Sequence, residues 1–327
     1  MSYPFQPPLE LEPVHWQHQL PGELPTDVTA RLLTNANNQL ESDRPAVLTV
    51  PGYGEGEWAA NQALDFFTRL GRPAIVSLVD TTQTPASLAD VTAFATDFVP
   101  QVVSQLQERE ALPAQATVLG HSMGGGLLGI GVQEAPELFG SLAFLEPIGH
   151  DTAARIAREP DYERRVRAFK RQFAHVLIGP YPNAGPSELA HAGVAIGSQL
   201  KHDLFPRKER RFDHAIRLVQ NTDVVPAVYQ HAKDGNAIVY IFGSKDPLVK
   251  LDMVLDSYFL HAMPLPGDGF SDESGARVSE EEMGKVMRNI FMVPTIHKHA
   301  YMGWGSGKQH LGTAVKTLDF MEKRVTK

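Results

Sequence analysis

Ser122 has the surroundings best suited to covalent chemistry. It stands in Gly120-His121-Ser122-Met123-Gly124, a match to G-x-S-x-G. A chain of this composition contains about 0.1 such matches by chance, so the pattern takes its weight from its flanks. The apolar run ATVL at 116–119 enters it as a strand, and GGGLLGIGV from Gly124 onward leaves it as a helix. A strand that reverses sharply into a helix strains the serine backbone and lifts its hydroxyl clear of the sheet. Glycines are required on both sides, because a Cβ there would collide with the neighbouring strand or helix. The alternative is a glycine-rich strand-to-helix turn carrying a structural serine.

GHSMGG after a short apolar strand resembles the α/β-hydrolase family, in its form with a serine nucleophile elbow and a helical cap. The resemblance spans about 46–147 and 237–324. It implies an acid and then a histidine, following the serine in chain order. Gly243-Ser244-Lys245-Asp246-Pro247, closing a late strand, is similar to the family's acid loop and puts Asp246 in the acid position. An Asp–Pro turn cap is the competing account of Asp246. Glu146, ending the strand before it, is the alternative acid. Beyond the last strand come His297 and His299. His299 is preferred as the base because a turn could swing its imidazole over Ser122, with His297 as the fallback. His121, beside the nucleophile, is given no catalytic part, and His310, opening the closing helix, has no assigned role. The family resemblance also implies an oxyanion hole from the N–H groups of Met123 and Tyr53, the latter in Pro51-Gly52-Tyr53-Gly54.

These residues need a scaffold. Apolar runs at 46–50, 74–79, 116–119, 142–145, 237–242 and 292–296 alternate with helical stretches at 58–70, 87–110, 124–133 and 310–324. That alternation predicts an α/β fold with a mostly parallel central sheet and helices on both faces. Ahead of it, the runs around 9–18 and 28–34 read as a leading antiparallel hairpin. The stretch 149–235 lacks a clear strand and reads as helices. It carries 14 Lys/Arg against 10 Asp/Glu in an otherwise acidic chain. The expected organisation is therefore core at 1–148, helical cap at 149–235 and core again at 236–327. The cap's basic runs are either solvated helix faces or an attraction for anionic substrates. The run 261–282 reads as a solvated loop opening onto a helix near Ser279. Asp268, Asp272 and Glu273 within it lack the EF-hand ligand pattern.

Composition closes off other classes. The chain has 327 residues and no cysteine, which excludes disulfides, thiolate catalysis and Cys-ligated metals. A formal charge of −8 argues against a basic nucleic-acid binder. No run reaches the ~18 apolar residues of a membrane span, and the first residues do not resemble a secretory signal, so a cytoplasmic protein is expected. The resemblance implies a serine hydrolase acting on a small or lipid-like carboxylic ester through an acyl-enzyme on Ser122, with no cofactor or metal. Carbon–carbon bond hydrolases, lactonases and thioesterases share the triad, and a ligand-binding receptor is the non-enzymatic alternative.

Overall fold

Strands and helices alternate along the chain as the apolar runs require. The computed structural model describes residues 8–18, 26–35, 44–52, 55–79, 88–151, 222–244, 246, 249, 251–262, 270–271, 277–278, 280–296 and 306–325. β1 (Leu9–His18) and β2 (Thr26–Thr34) form the leading hairpin. They are followed by β3 (Val47–Val50), α1 (Glu57–Arg69), β4 (Ala74–Val79), α2 (Leu88–Glu108), β5 (Ala116–His121), α3 (Met123–Glu134) and β6 (Phe139–Leu145). After residue 221 come α4 (Val225–Lys233), β7 (Ile238–Gly243), α5 (Leu251–Ala262), a small ribbon of β8 (Phe270–Ser271) and β9 (Arg277–Val278), α6 (Glu280–Asn289), β10 (Ile290–Thr295) and α7 (Ser306–Val325).

Among the described residues, eight strands form one sheet in the order β1-β2-β4-β3-β5-β6-β7-β10. β2 runs antiparallel to both its neighbours, and every pairing from β4 to β10 is parallel. The central strands are buried on both faces and alternate between two cores. In β7, Ile238, Tyr240 and Phe242 face a core with Phe98, Leu128 and Val228 from α2, α3 and α4. Val239 and Ile241 face the other, with Leu64 and Phe67 of α1 and Leu311 and Leu318 of α7. Pro294, which cannot donate to a ladder, sits on the edge strand β10, where only one side is paired.

The strand expected at 142–145 begins three residues earlier, at Phe139, and the one at 292–296 runs Ile290–Thr295. α2 continues through Pro100. α5 was not expected: LDMVLDSYFLHA is apolar on most sides, and a short apolar run has no distinctive period. Asp268, Asp272, Glu273 and residues 152–221, which hold most of the expected cap, lie outside the described residues.

Candidate active site

Ser122 joins β5 to α3 with φ 51° and ψ −116°, a left-handed conformation that a residue with a side chain adopts only under constraint. The constraint comes from the hydrogen bonds around it. The Ser122 N–H donates to the Leu145 carbonyl at 2.8 Å, and its own carbonyl accepts from Gly125 and Ile148, each at 3.0 Å. Close approach fixes the two motif glycines. A Cβ on Gly120 would meet the Gly124 oxygen at 2.7 Å, and one on Gly124 would overlap the carbonyl oxygens of Val50 and Pro51. β3 therefore packs directly under the start of α3. Met123 is the first residue of α3, where backbone N–H groups have no helical partner.

The loops expected to bring the acid and the histidine leave from adjacent strands. β10 pairs with β7 in parallel, Thr295 opposite Gly243. Beyond the ladder, the Ser244 N–H donates to the Thr295 carbonyl at 2.7 Å, and the Thr295 hydroxyl donates to the Phe242 carbonyl at 3.1 Å. Asp246 follows, buried, with its N–H on the Gly243 carbonyl at 2.9 Å. β10 ends at Thr295, and Ile296 is exposed. His297, His299 and Tyr53 lie outside the described residues.

A buried polar cluster lies beside the serine turn. The Glu55 carboxylate accepts the Gly52 N–H at 2.5 Å through Oε2 and lies 2.8 Å from His121 Nδ1 through the same oxygen. A carboxylate only accepts, so Nδ1 carries a proton. His121 Nε2 faces Glu146 Oε2 at 3.9 Å, an ion-pair separation longer than a hydrogen bond. Glu146 is fully buried with φ 47°, and its Oε1 lies 3.4 Å from His310 Nδ1. The Thr295 hydroxyl proton is on Phe242, so His310 Nε2 donates to Thr295 at 2.7 Å. A second buried group adjoins α3. His150 Nε2 donates to the Gly125 carbonyl at 3.2 Å, and its Nδ1 accepts from the Tyr240 hydroxyl at 2.7 Å.

No family model and no curated protein sequence matches this chain. Solved structures do. A carboxylesterase of Nitrososphaera gargenis superposes with a TM-score of 0.54 at 12% identity, over 94% of this chain and 99% of that one. A Pyrococcus furiosus esterase gives 0.51 at 14% identity, over 94% and 91%. Est1E of Butyrivibrio proteoclasticus gives 0.51 at 14%, over 96% and 100%. Together with the strand order and the serine turn, these similarities decide the architecture. The chain has the α/β-hydrolase fold.

Within this hydrolase fold, Ser122 and Asp246 stand at the C-terminal ends of β5 and β7, where ligands bind in open parallel sheets. Glu146 stands at the end of β6, between His121 and His310. Sequence reasoning left Glu55 and His310 without a part. Each lies at the edge of a glycine-containing loop or helix start, a position that signals nothing until the sheet order is known. Among the described residues, no group of three or more His, Asp or Glu could hold a metal ion, and no helix is long and apolar enough to cross a membrane.

Two of these histidines give the hydrolase fold opposite pH limbs. Burial alone would push His121 down, but Glu55, with Glu146, reverses this and holds it up from 6.5 to about 10. Its contribution to stability is complete below 6.5 and is lost as pH rises through about 10. Burial lowers His150 to about 4, opposed in part by the Gly125 carbonyl and Asp223. That contribution is present above 6.5 and is lost as pH falls toward 4. Burial likewise lowers His231. The free energy of unfolding in urea is expected to peak near neutrality. It should fall by on the order of 5 kcal/mol along the alkaline limb, at about 1.4 kcal/mol per pK unit. An alkaline limb as steep in a His121→Gln variant as in the wild type would refute the assignment.

Proposed function

We propose that this protein is a serine hydrolase of the carboxylesterase type, acting on a small or lipid-like ester. Ser122 Oγ attacks the ester carbonyl carbon while His299 (His297 being the alternative) takes the hydroxyl proton. The tetrahedral oxyanion is held by the N–H groups of Met123 and Tyr53. Its collapse breaks the ester C–O bond, and the leaving alcohol departs with the proton from the imidazolium. Water then gives a proton to the same histidine and attacks the acyl-enzyme, releasing the carboxylic acid and restoring Ser122. Asp246 orients the imidazole and stabilises its charged form.

The observation that supports this reading most is the backbone of Ser122. A left-handed serine held by four hydrogen-bonding groups, at the end of the fifth strand of an α/β-hydrolase sheet, is costly unless the hydroxyl is used. Asp246 is favoured as the acid by the tie between Ser244 and Thr295, which joins the starts of the two loops. Glu146 is already engaged with His121 and His310.

A panel of p-nitrophenyl esters, thioesters, lactones and vinylogous diketones tests the reading. Ester turnover that is lost stoichiometrically on treatment with a fluorophosphonate is expected. Ester turnover persisting in excess fluorophosphonate, or turnover of the diketones alone, would overturn it.

A further inference from the structure

The buried cluster beside Ser122 is expensive as a stability device. Two carboxylates and two imidazoles removed from water contribute no more than well-packed apolar groups of the same volume would. Their positions follow a pattern that stability does not require. Glu55 comes from the loop between β3 and α1, His121 from the last position of β5, Glu146 from just past β6, and His310 from the first turns of α7, bonded to the last residue of β10. The cluster thus joins the ends of the strands from which the catalytic loops depart, and Ser122 and Glu146, two of the three non-glycine residues with positive φ among those described, lie at or beside it.

The contact of most consequence is the one on Gly52. Its N–H is fixed by the Glu55 carboxylate at 2.5 Å, and the Glu55 N–H returns to the Gly52 carbonyl at 3.2 Å. A Cβ on Gly52 would meet both His121 Nδ1 and Ser122 Cβ at 3.0 Å, so this backbone abuts the nucleophile. His121, one residue before Ser122, holds the same Glu55 oxygen through Nδ1.

We propose that Glu55 is a positioning residue for the turn at Gly52, clamped by His121 and braced through Glu146 and His310, so that the Gly52 backbone keeps its place relative to Ser122. The proposal rests on the serine-hydrolase reading above. It requires both the length of the Glu55 side chain, which must reach Gly52 and His121 together, and an acceptor oxygen at its end. Among the described residues, His121 is faced by Glu55 from the loop before α1 and Glu146 from the end of β6, with His310 of α7 across Glu146.

Three variants, Glu55→Asp, Glu55→Gln and Glu55→Ala, separate this from a merely structural role. Kinetics on p-nitrophenyl butyrate and inhibition by a trifluoromethyl ketone, a mimic of the tetrahedral adduct, are read together. Glu55→Asp, one methylene short, is expected to lower kcat about 10- to 100-fold with KM little changed, and to weaken the ketone in parallel. Glu55→Gln still offers an oxygen to Gly52 and is expected to retain most of kcat. Glu55→Ala should resemble Glu55→Asp, and if it does not fold, the Asp/Gln contrast decides alone. Wild-type kcat in Glu55→Asp, a loss carried by KM only, or equal losses in Asp and Gln would overturn the proposal. Ser122→Ala is run alongside. If it kept ester turnover, the underlying reading would fall; if it were dead while Glu55→Asp was unaffected, only the positioning role would.

Discussion

Ser122→Ala is expected to lower ester hydrolysis about 10⁵-fold, to the level that binding and oxyanion donors sustain without a nucleophile. The fold should survive, because the Ser122 contacts that hold the turn are made by its backbone N–H and carbonyl. A second substitution at the same position separates chemistry from strain. Glycine adopts φ 51° without the cost that serine carries, so Ser122→Gly should be equally inactive yet more stable, by on the order of 1 kcal/mol. Urea unfolding beside ester kinetics reads both. A Ser122→Gly protein less stable than the wild type would mean that the hydroxyl supports the fold, which would undercut its assignment as a poised nucleophile.

The two buried carboxylates at strand ends are expected to part company. Asp246→Asn should lower kcat about 10³- to 10⁴-fold, because a neutral amide neither selects the right tautomer of the base nor stabilises its imidazolium. Glu146→Gln should act chiefly on stability. It leaves the raised imidazole of His121 with one carboxylate fewer in a buried site, at a cost of about 3 kcal/mol, and lowers kcat by roughly tenfold or less. Thermal unfolding and steady-state kinetics of both variants check this. A reversal, with Glu146→Gln inactive and Asp246→Asn nearly normal, would move the acid role to the end of β6.

Legibility from sequence divided along a physical line. Strands buried on both faces show themselves as short β-branched runs, so AIVSLV and the apolar core of β7 were placed within a residue or so of their limits. The hairpin of β1 and β2 was legible as two runs, around 9–18 and 28–34, ahead of the first parallel strand. The serine turn was legible because a tight strand-to-helix reversal needs glycine where backbones touch, and Gly120 and Gly124 make the contacts that this predicts. What stayed hidden depends on strand order. Glu55 and His121 are far apart in the chain and meet only because β3 and β5 are neighbours, and Glu146 meets His310 only because α7 folds back over β6 and β7. No local pattern encodes such a meeting. α5 was missed for a different reason, since an apolar surface nearly all round its axis erases the helical period.

The central claim is that the Ser122 hydroxyl forms the acyl-enzyme. Mixing the protein with a slowly deacylating p-nitrophenyl ester, quenching in acid and mapping peptides by mass spectrometry tests it directly. The account predicts one acyl group per chain, on the peptide that contains Ser122, and none in Ser122→Ala. Ester turnover with the acyl group on any other residue, or undiminished in Ser122→Ala, would contradict it.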